Sequence, residues 1–349
     1  MIKINKAPVF TSQHYGMNYF EIDEKILNQN FAKFDTNKIS STNGVSINEL
    51  KTMPDNLLAT ELNMQSNKYA NFKRQIIFER DSTSNAEITF NITKPLADVI
   101  DIVVKEQAKA KLVLKYLSND TMYHNSVINI TLEKNANLSI MFLCDLKDLS
   151  NNFVSIKSNI DTNSQLNVFV VDFGCNNTVQ RIENTLQGDY SRINLNSIYF
   201  GNKNNNLSIN YISNVFGKFT ETNLSSIGIL NDNAKKNFVG TIDFKSGSKK
   251  SIGDVSENCI MLSQDCKAIS TPILLCTEED VDGKHSSSLG KIDEEELFYM
   301  MTRGLSKQEA TKLIIQAKLH GFVNNIFDEK IKEYIEKRIE EKVKWKLVR

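Results

Sequence analysis

The chain has 349 residues, 40% of them hydrophobic, and its 42 basic residues balance its 42 acidic ones. This composition is enough for a substantial core and excludes wholesale disorder. A balanced charge gives no general attraction to nucleic acid or to an anionic membrane, and no apolar run reaches the roughly 18 residues of a membrane span. With no signal-peptide pattern at its start, the sequence predicts a cytoplasmic protein without nucleic-acid or membrane partners.

Residues 1–85 mix helix and turn signals and show no clear period. We expect an irregular, partly helical N-terminal segment that caps the open end of the core that follows it.

Residues 86–292 carry many short strands joined by turns rich in asparagine, aspartate and serine. Aligning Leu112, Leu138, Leu166 and Ile193 gives intervals of 26, 28 and 27 residues, with a second strand between each pair. A period near 27 residues with two strands per repeat is typical of a solenoid, in which each unit completes its core by stacking on its neighbours. The predicted fold is mainly β, with a right-handed β-helix (β-solenoid) core. A β-sandwich or meander built from the same strands is the alternative.

Residues 293–349 change to a helical period. Asp293 with Glu296, and Ser306 with Glu309, have the spacing of helix N-caps, and Gly304 is placed to end the first helix. A third helix follows Asp328. The apolar positions predicted to face the core are Ala310, Leu313, Ile314 and Ala317 in the second helix, and Ile331, Ile335, Ile339 and Val343 in the third.

The five cysteines form no CxxC pair, which excludes the common zinc-ribbon and ferredoxin spacings. Cys144, Cys175 and Cys276 are predicted to be small buried hydrophobes. Cys266 lies in a polar, turn-like context and is either buried or an exposed thiol that can reach a ligand. His285 lies in a Gly/Ser-rich loop and is either solvated or a ligand.

Other sites are not indicated. His14, His124 and His320 have no sequence neighbours that suggest one. P-loop, dinucleotide-binding, zinc-protease and nucleophile-elbow motifs are absent from the sequence.

Three segments of the C-terminal third, NFVGTIDF, CIMLSQDCKAISTPIL and EEDVDGKHSSSLGKIDEEELFYMMTRGLSKQEA, resemble the SufB/SufD family of iron–sulfur cluster assembly scaffolds. The resemblance implies a non-catalytic subunit that dimerises through β-helix edges, as a homodimer or a SufB/SufD-type heterodimer. It implies a transient iron–sulfur cluster at the dimer interface and a sulfur donor protein as a partner. It also implies that the C-terminal helices dock a SufC-like ABC-type ATPase, which hydrolyses the ATP.

Carried over by position, the resemblance makes His285 the interface histidine and Cys266 the interface cysteine of SufB-type chains. Both are therefore candidate cofactor or metal ligands, on the hypothesis that pairing brings Cys266 of one subunit near His285 of the other. The candidate ATPase-docking residues are Leu297, Phe298, Met301, Arg303 and Gly304. Ser286 replaces the glutamate of SufB-type chains, and no cysteine lies near Asn184, where those chains carry one.

Two alternatives remain open. One is a SufD-like structural partner that holds no cluster of its own. The other is a β-helical carbohydrate-active enzyme, which requires clustered charged residues on one solenoid face and usually secretion.

Overall fold

The computed structural model describes residues 1–9, 17–34, 38–53 and 61–344. The N-terminal elements come before the solenoid and are short. They are β1 (Ile2–Ile4), β2 (Phe20–Ile22), a 3-10 helix (Glu24–Leu27), β3 (Lys38–Ser41), β4 (Val45–Glu49) and α1 (Glu61–Tyr69).

Sixteen strands then form eight coils of a β-solenoid, which confirms the predicted fold class. They are β5 (Phe72–Phe78), β6 (Thr83–Asn91), β7 (Leu96–Val104), β8 (Lys109–Leu117), β9 (Tyr123–Leu132), β10 (Asn137–Asp145), β11 (Asn151–Ile160), β12 (Gln165–Asp172), β13 (Asn177–Leu186), β14 (Arg192–Gly201), β15 (Asn206–Val215), β16 (Glu221–Leu230), β17 (Lys235–Phe244), β18 (Ser251–Met261), β19 (Lys267–Cys276) and β20 (Val281–Gly290).

Successive solenoid strands alternate between two nine-stranded sheets. The front sheet has the order β20-β18-β16-β14-β12-β10-β8-β6-β3, and the back sheet has the order β19-β17-β15-β13-β11-β9-β7-β5-β4. Each solenoid strand pairs in parallel with the strand one coil away, so the sandwich alternative is wrong.

The register confirms most of the predicted repeat. Leu138, Leu166 and Ile193 stack on one another as expected. Leu112 stacks on Ile140 rather than on Leu138, so the repeat from β8 to β10 is two residues longer than predicted. A shift of two residues keeps every side chain on the same face of its strand, and the apolar pattern alone cannot detect it.

The N-terminal segment does cap the first coil. β3 pairs antiparallel with β6 and β4 with β5, while Phe34 packs into the core against Phe90. The segment also covers the outer face of the back sheet, where Ile4 and Ile22 join a cluster with Phe153. The sequence did not predict this second role.

Three helices follow the solenoid: α2 (Glu294–Thr302), α3 (Lys307–Asn324) and α4 (Glu329–Lys344). Asp293 caps α2, and Ser306 with Glu309 forms a complete capping box on α3, as predicted. No helix in the described part of the chain has the length and apolarity needed to cross a membrane.

α3 and α4 pack along the outer face of the front sheet, not on the end of the solenoid. Ile331, Ile335 and Ile339 of α4 are buried as predicted, whereas the side chain of Val343 lies outside the described residues. In α3 the predicted face is partly wrong, because Leu313 and Ala317 are exposed. The buried residues of α3 are Ala310, Ile314, Ile315, Leu319 and Val323.

Candidate functional site

The last coil, β19 and β20, leaves the C-terminal end of the solenoid open. Within the described residues, β20 pairs only with β18 and β19 only with β17. Nine of the ten residues of β20 are exposed, and Val281 is partly buried. An edge strand of this length presents unpaired backbone groups that can accept another strand.

His285 lies in the middle of β20 and faces the inside of the solenoid. Its register partner one coil below is Val255, a fully buried core residue, and paired residues of parallel strands share a face. Gly283, two residues earlier, confirms the direction, since a Cβ there would lie 3.2 Å from a Leu274 methyl group. His285 is nevertheless exposed, because no coil of the described chain covers it.

Cys266 lies in the turn between β18 and β19, and its side chain is buried, with 3% of the residue exposed. Its thiol donates a hydrogen bond to the Ser263 carbonyl at 3.0 Å, and its sulfur lies 3.9 Å from the Leu230 carbonyl oxygen. Leu230 pairs in register with Met261 of β18, and His285 pairs with Val255 of the same strand. Met261 lies six residues beyond Val255, so the Cys266 thiol and His285 are separated by roughly 20 Å along the strand direction. One chain alone does not bring Cys266 and His285 together.

A buried polar cluster lies one coil below the open end. The Lys236 ammonium is 2.5 Å from a Glu257 carboxylate oxygen, with both side chains fully buried. The Tyr199 hydroxyl donates to the same oxygen at 2.6 Å, and Lys236 also donates to the Ile269 carbonyl at 3.0 Å. Burial raises the pKa of the neighbouring Cys259 thiol to about 11, although the charge of Lys236 opposes the shift.

The sequence carries a signal for this cluster. Lys236 and Glu257 occupy positions of their strands where apolar residues face the core, which makes a charge there exceptional.

The cysteine predictions are confirmed at two positions and wrong at one. Cys144 and Cys175 are buried, as expected. Cys276 is exposed, although it stacks on the fully buried Phe244 of the coil below. Cys276 is exposed and Phe244 is buried because Cys276 belongs to the last coil, whose inner-facing side chains are covered by no further coil among the described residues.

A second buried network surrounds His124, which showed no partner in the sequence. Its Nε2 lies 3.1 Å from Asp98 and its Nδ1 lies 2.7 Å from the Asn152 side-chain oxygen. Asn152 in turn donates to Asp172 at 2.7 Å. These partners are one coil away in sequence, so the repeat spacing was the signal that could have found them. His14 lies outside the described residues.

No three His, Cys, Asp or Glu side chains of the described residues lie close enough to hold a metal ion.

A separate apolar surface lies where α2 leaves the solenoid. No residue of α2 is buried, and Phe298 is 67% exposed. Leu297, Phe298 and Met301 line a pocket of about 740 Å³ together with Leu262 and Ile292 of the preceding chain. Exposed apolar surface of this kind is typical of a protein-binding site.

Two residues, Arg303 and Gly304, mark the C-terminal end of α2 beside this pocket. The Arg303 guanidinium lies over the Tyr299 ring and donates to its hydroxyl at 3.0 Å. Gly304 follows with φ of +95°, a left-handed conformation that glycine adopts without strain. The predicted docking residues thus lie along the C-terminal part of α2 and at its end.

Comparison with known proteins identifies the family. The SUF system FeS cluster assembly, SufBD core domain, matches residues 90–318. The iron-sulfur cluster assembly protein SufD of Bacillus subtilis is 35% identical over 129 residues, covering 37% of this chain and 30% of its own length.

An iron-sulfur cluster assembly SufBD family protein of Pyrococcus horikoshii is 36% identical over 92 residues, covering 26% of this chain and 21% of its own. The iron-sulfur cluster assembly protein SufD of Escherichia coli is 28% identical over 111 residues, covering 32% of this chain and 26% of its own length. The matched stretches thus span less than a third of these relatives' lengths. Because the core domain matches well over half of the chain, the protein belongs to the SufBD family of the SUF iron–sulfur cluster assembly system.

Proposed function

We propose that this protein is a non-catalytic scaffold of iron–sulfur cluster assembly that pairs through the open end of its solenoid and docks a SufC-like ABC-type ATPase through α2. Family membership supports the assembly role. The observation that carries the proposal is the position of the two surfaces: only Lys291, Ile292 and Asp293 separate β20 from α2.

The docking part rests on α2. Phe298 and Met301 are 67% and 42% exposed, and they border a pocket rather than a flat surface. Interface hot spots are large side chains that fill such concavities. Asp145 anchors α4 to the solenoid through Arg338 and Tyr334, so a force on α2 acts against a fixed helical layer.

The cluster part rests on the open end. His285 is the accessible candidate ligand there, since its side chain is exposed, whereas Cys266 is buried and requires movement of its turn before the thiol can reach a cluster. A site with few protein ligands suits a cluster that is built and then handed on. Movement of the last coil by the ATPase is the proposed means of exposing Cys266.

The docking test is a binding measurement with the ABC-type ATPase. Phe298→Ala and Met301→Ala are each expected to weaken binding at least about tenfold, since truncation of an interface hot spot to alanine costs about 2 kcal/mol or more. Phe216→Ala is the matched control, because Phe216 is 42% exposed on a solenoid turn far from α2 in sequence. Equal effects from all three variants would refute the docking site.

The cluster test is anaerobic reconstitution with the ATPase followed by iron and sulfide analysis. Cys266→Ser is expected to abolish cluster retention, while Cys175→Ser, another buried thiol, is expected to retain it. Wild-type iron and sulfide in Cys266→Ser would contradict the assignment of this ligand.

A SufD-like partner without its own cluster is the second candidate. The burial of Cys266 and the serine at position 286 favour it. It predicts that the complex with the ATPase forms normally but holds no iron or sulfide when this chain is the only scaffold present.

A further inference from the structure

One corner of the solenoid forms a ridge of surface residues, at the point where each back-sheet strand turns into the next front-sheet strand. Each coil contributes two adjacent residues, and the same positions lie in register from coil to coil. In every coil but the last, the N–H of the second residue donates to the next coil, as Tyr190 donates to the Lys218 carbonyl at 2.8 Å. We call this surface the corner ridge. In coil order its pairs are Lys134 with Asn135, Thr162 with Asn163, Asp189 with Tyr190, Lys218 with Phe219, Lys249 with Lys250, and Glu279 with Asp280.

Two aromatic side chains interrupt this otherwise polar ridge. Tyr190 and Phe219 stack with their ring centroids 5.0 Å apart and their planes at 6°, and they are 50% and 44% exposed. Both have left-handed backbones, with φ of 60° and 57°, which bulky side chains rarely adopt. Asparagine tolerates this conformation, as at Asn135 and Asn163. The stability of a single chain therefore favours asparagine at both positions, and the exposed rings indicate a contact surface.

The charges of the ridge change sign across the aromatic pair. Asp189 lies on one side, where its carboxylate accepts the Lys218 N–H at 2.8 Å. Lys218 and Lys249 lie on the other side, while Lys134 and Glu279 lie further out, one at each end of the ridge. All five of these residues are exposed. A surface with this order of charges is complementary to a copy of itself turned end to end.

We propose that two copies of this chain associate through their corner ridges, with the solenoids antiparallel, about a two-fold axis that crosses the ridge between the Tyr190 and Phe219 coils. Tyr190 then lies opposite Phe219 of the second copy, and Asp189 lies opposite Lys218. Because a two-fold axis repeats every contact, each of these contacts forms twice. The association uses neither the open end nor α2, so it goes beyond the proposed function and does not rest on it.

Charge selects this axis. It places Lys134 opposite Glu279 of the second copy, and no like charges meet along the ridge. An axis half a coil away in either direction puts Asp189 or Lys218 opposite its own copy, which is unfavourable. An axis that runs along the ridge, with the solenoids parallel, brings each charge next to its own copy as well.

Exchange of the two charges tests the contact by sedimentation equilibrium. The ridge is smaller than a standard interface, which uses roughly 20–30 residues a side, so the association is expected to be weak and dependent on concentration. Asp189→Lys and Lys218→Asp are each expected to weaken self-association at least about tenfold, because each variant meets its own copy with like charges. An equimolar mixture of the two variants is expected to regain it, since a lysine of one chain then meets an aspartate of the other at both contacts.

Asp232→Lys is the matched control. Asp232 is an exposed residue of the opposite corner, where it accepts the Lys203 N–H at 3.0 Å as Asp189 accepts that of Lys218. This control is expected to leave self-association unchanged. A mixture that fails to regain association overturns the register of the contact, and self-association that both single variants leave unchanged overturns the contact itself.

The rings are tested separately. Tyr190→Asn and Phe219→Asn are each expected to weaken self-association at least about tenfold, because each removes an apolar anchor from the centre of the contact. The urea midpoint of unfolding is expected to be no lower than that of the wild type, because asparagine suits the left-handed backbone. A lower midpoint with unchanged association would show that the rings serve the single chain, and it would overturn the contact.

The same measurements separate this contact from pairing through the open end. A chain that also pairs through its open end forms larger species, and the ridge variants reduce these to the pair that the open end holds. A chain that associates only through the ridge becomes monomeric in the variants. The two contacts can therefore succeed or fail independently.

Discussion

At the scale of single residues, the solenoid core contains charges whose burial requires close pairing. Lys236 and Glu257 are fully buried, and Tyr199 and the Ile269 carbonyl supply their further hydrogen bonds. Removing one member of such a pair leaves the other charge desolvated and unpaired, which is far more costly than replacing both with apolar groups.

Lys236→Met is therefore expected to lower the free energy of unfolding by about 3–5 kcal/mol. The double variant Lys236→Met/Glu257→Met is expected to recover most of that loss, since no isolated charge remains. Urea denaturation followed by circular dichroism measures both. A double variant no more stable than Lys236→Met would show that the pair itself, not the unpaired charge, dominates.

At the scale of elements, the C-terminal helices divide into an anchored pair and an exposed one. Arg338 of α4 contacts both carboxylate oxygens of Asp145 at 2.6 and 2.8 Å, and the Tyr334 hydroxyl donates to Asp145 at 2.6 Å. Burial and this carboxylate raise the pKa of Tyr334. α2 buries no residue, and no comparable anchor holds it within the part of the chain that the structure describes.

Asp145→Ala is expected to destabilise the docking of α4 by about 2 kcal/mol, because it removes hydrogen bonds to a charged group. Hydrogen exchange should accelerate in α4 while the strands of the solenoid keep their protection. Glu333→Ala, at an exposed position of the same helix, serves as the control. Unchanged exchange in α4 would mean that its apolar face alone holds it.

At the scale of the whole molecule, the two ends of the solenoid differ. β3, β4 and Phe34 close the first coil, whereas the last coil ends in two free edges among the described residues. Each coil contacts mainly the coils before and after it, so an end without a cap is where another molecule can continue the stack.

The continuous core also predicts sensitivity to alkali. Burial raises the pKa of Cys259 to about 11 and raises the pKa values of Cys144 and Cys175. In the unfolded chain these thiols ionise near pH 8.5, while in the folded chain they stay neutral. The stabilisation of the folded state that these buried thiols contribute is therefore fully present below about pH 8.5, and it is lost as the pH rises above that value.

The free energy of unfolding should accordingly fall between pH 8.5 and 10, by about 1 kcal/mol per buried thiol per pH unit. Urea denaturation at pH 8 and pH 10 measures the fall. Cys259→Ala is expected to reduce it, and Cys276→Ala, at an exposed position, is expected not to. An identical fall in both variants would refute the role of Cys259.

The sequence by itself determined the solenoid, its period, and the caps at Asp293, Ser306 and Gly304. These depend on local alternation and on contacts between residues near each other in the chain. It also determined the motif segments that carry the family resemblance.

Only the tertiary structure decided which positions are covered. Cys276 and Phe244 share one inner-facing row, yet one is exposed and the other buried, because only one has a coil above it. His285 is accessible for the same reason, and Cys266 is buried despite its polar neighbours. Burial depends on where the stack of coils ends and on what packs beside it. The alternation of apolar and polar residues within a single strand determines neither.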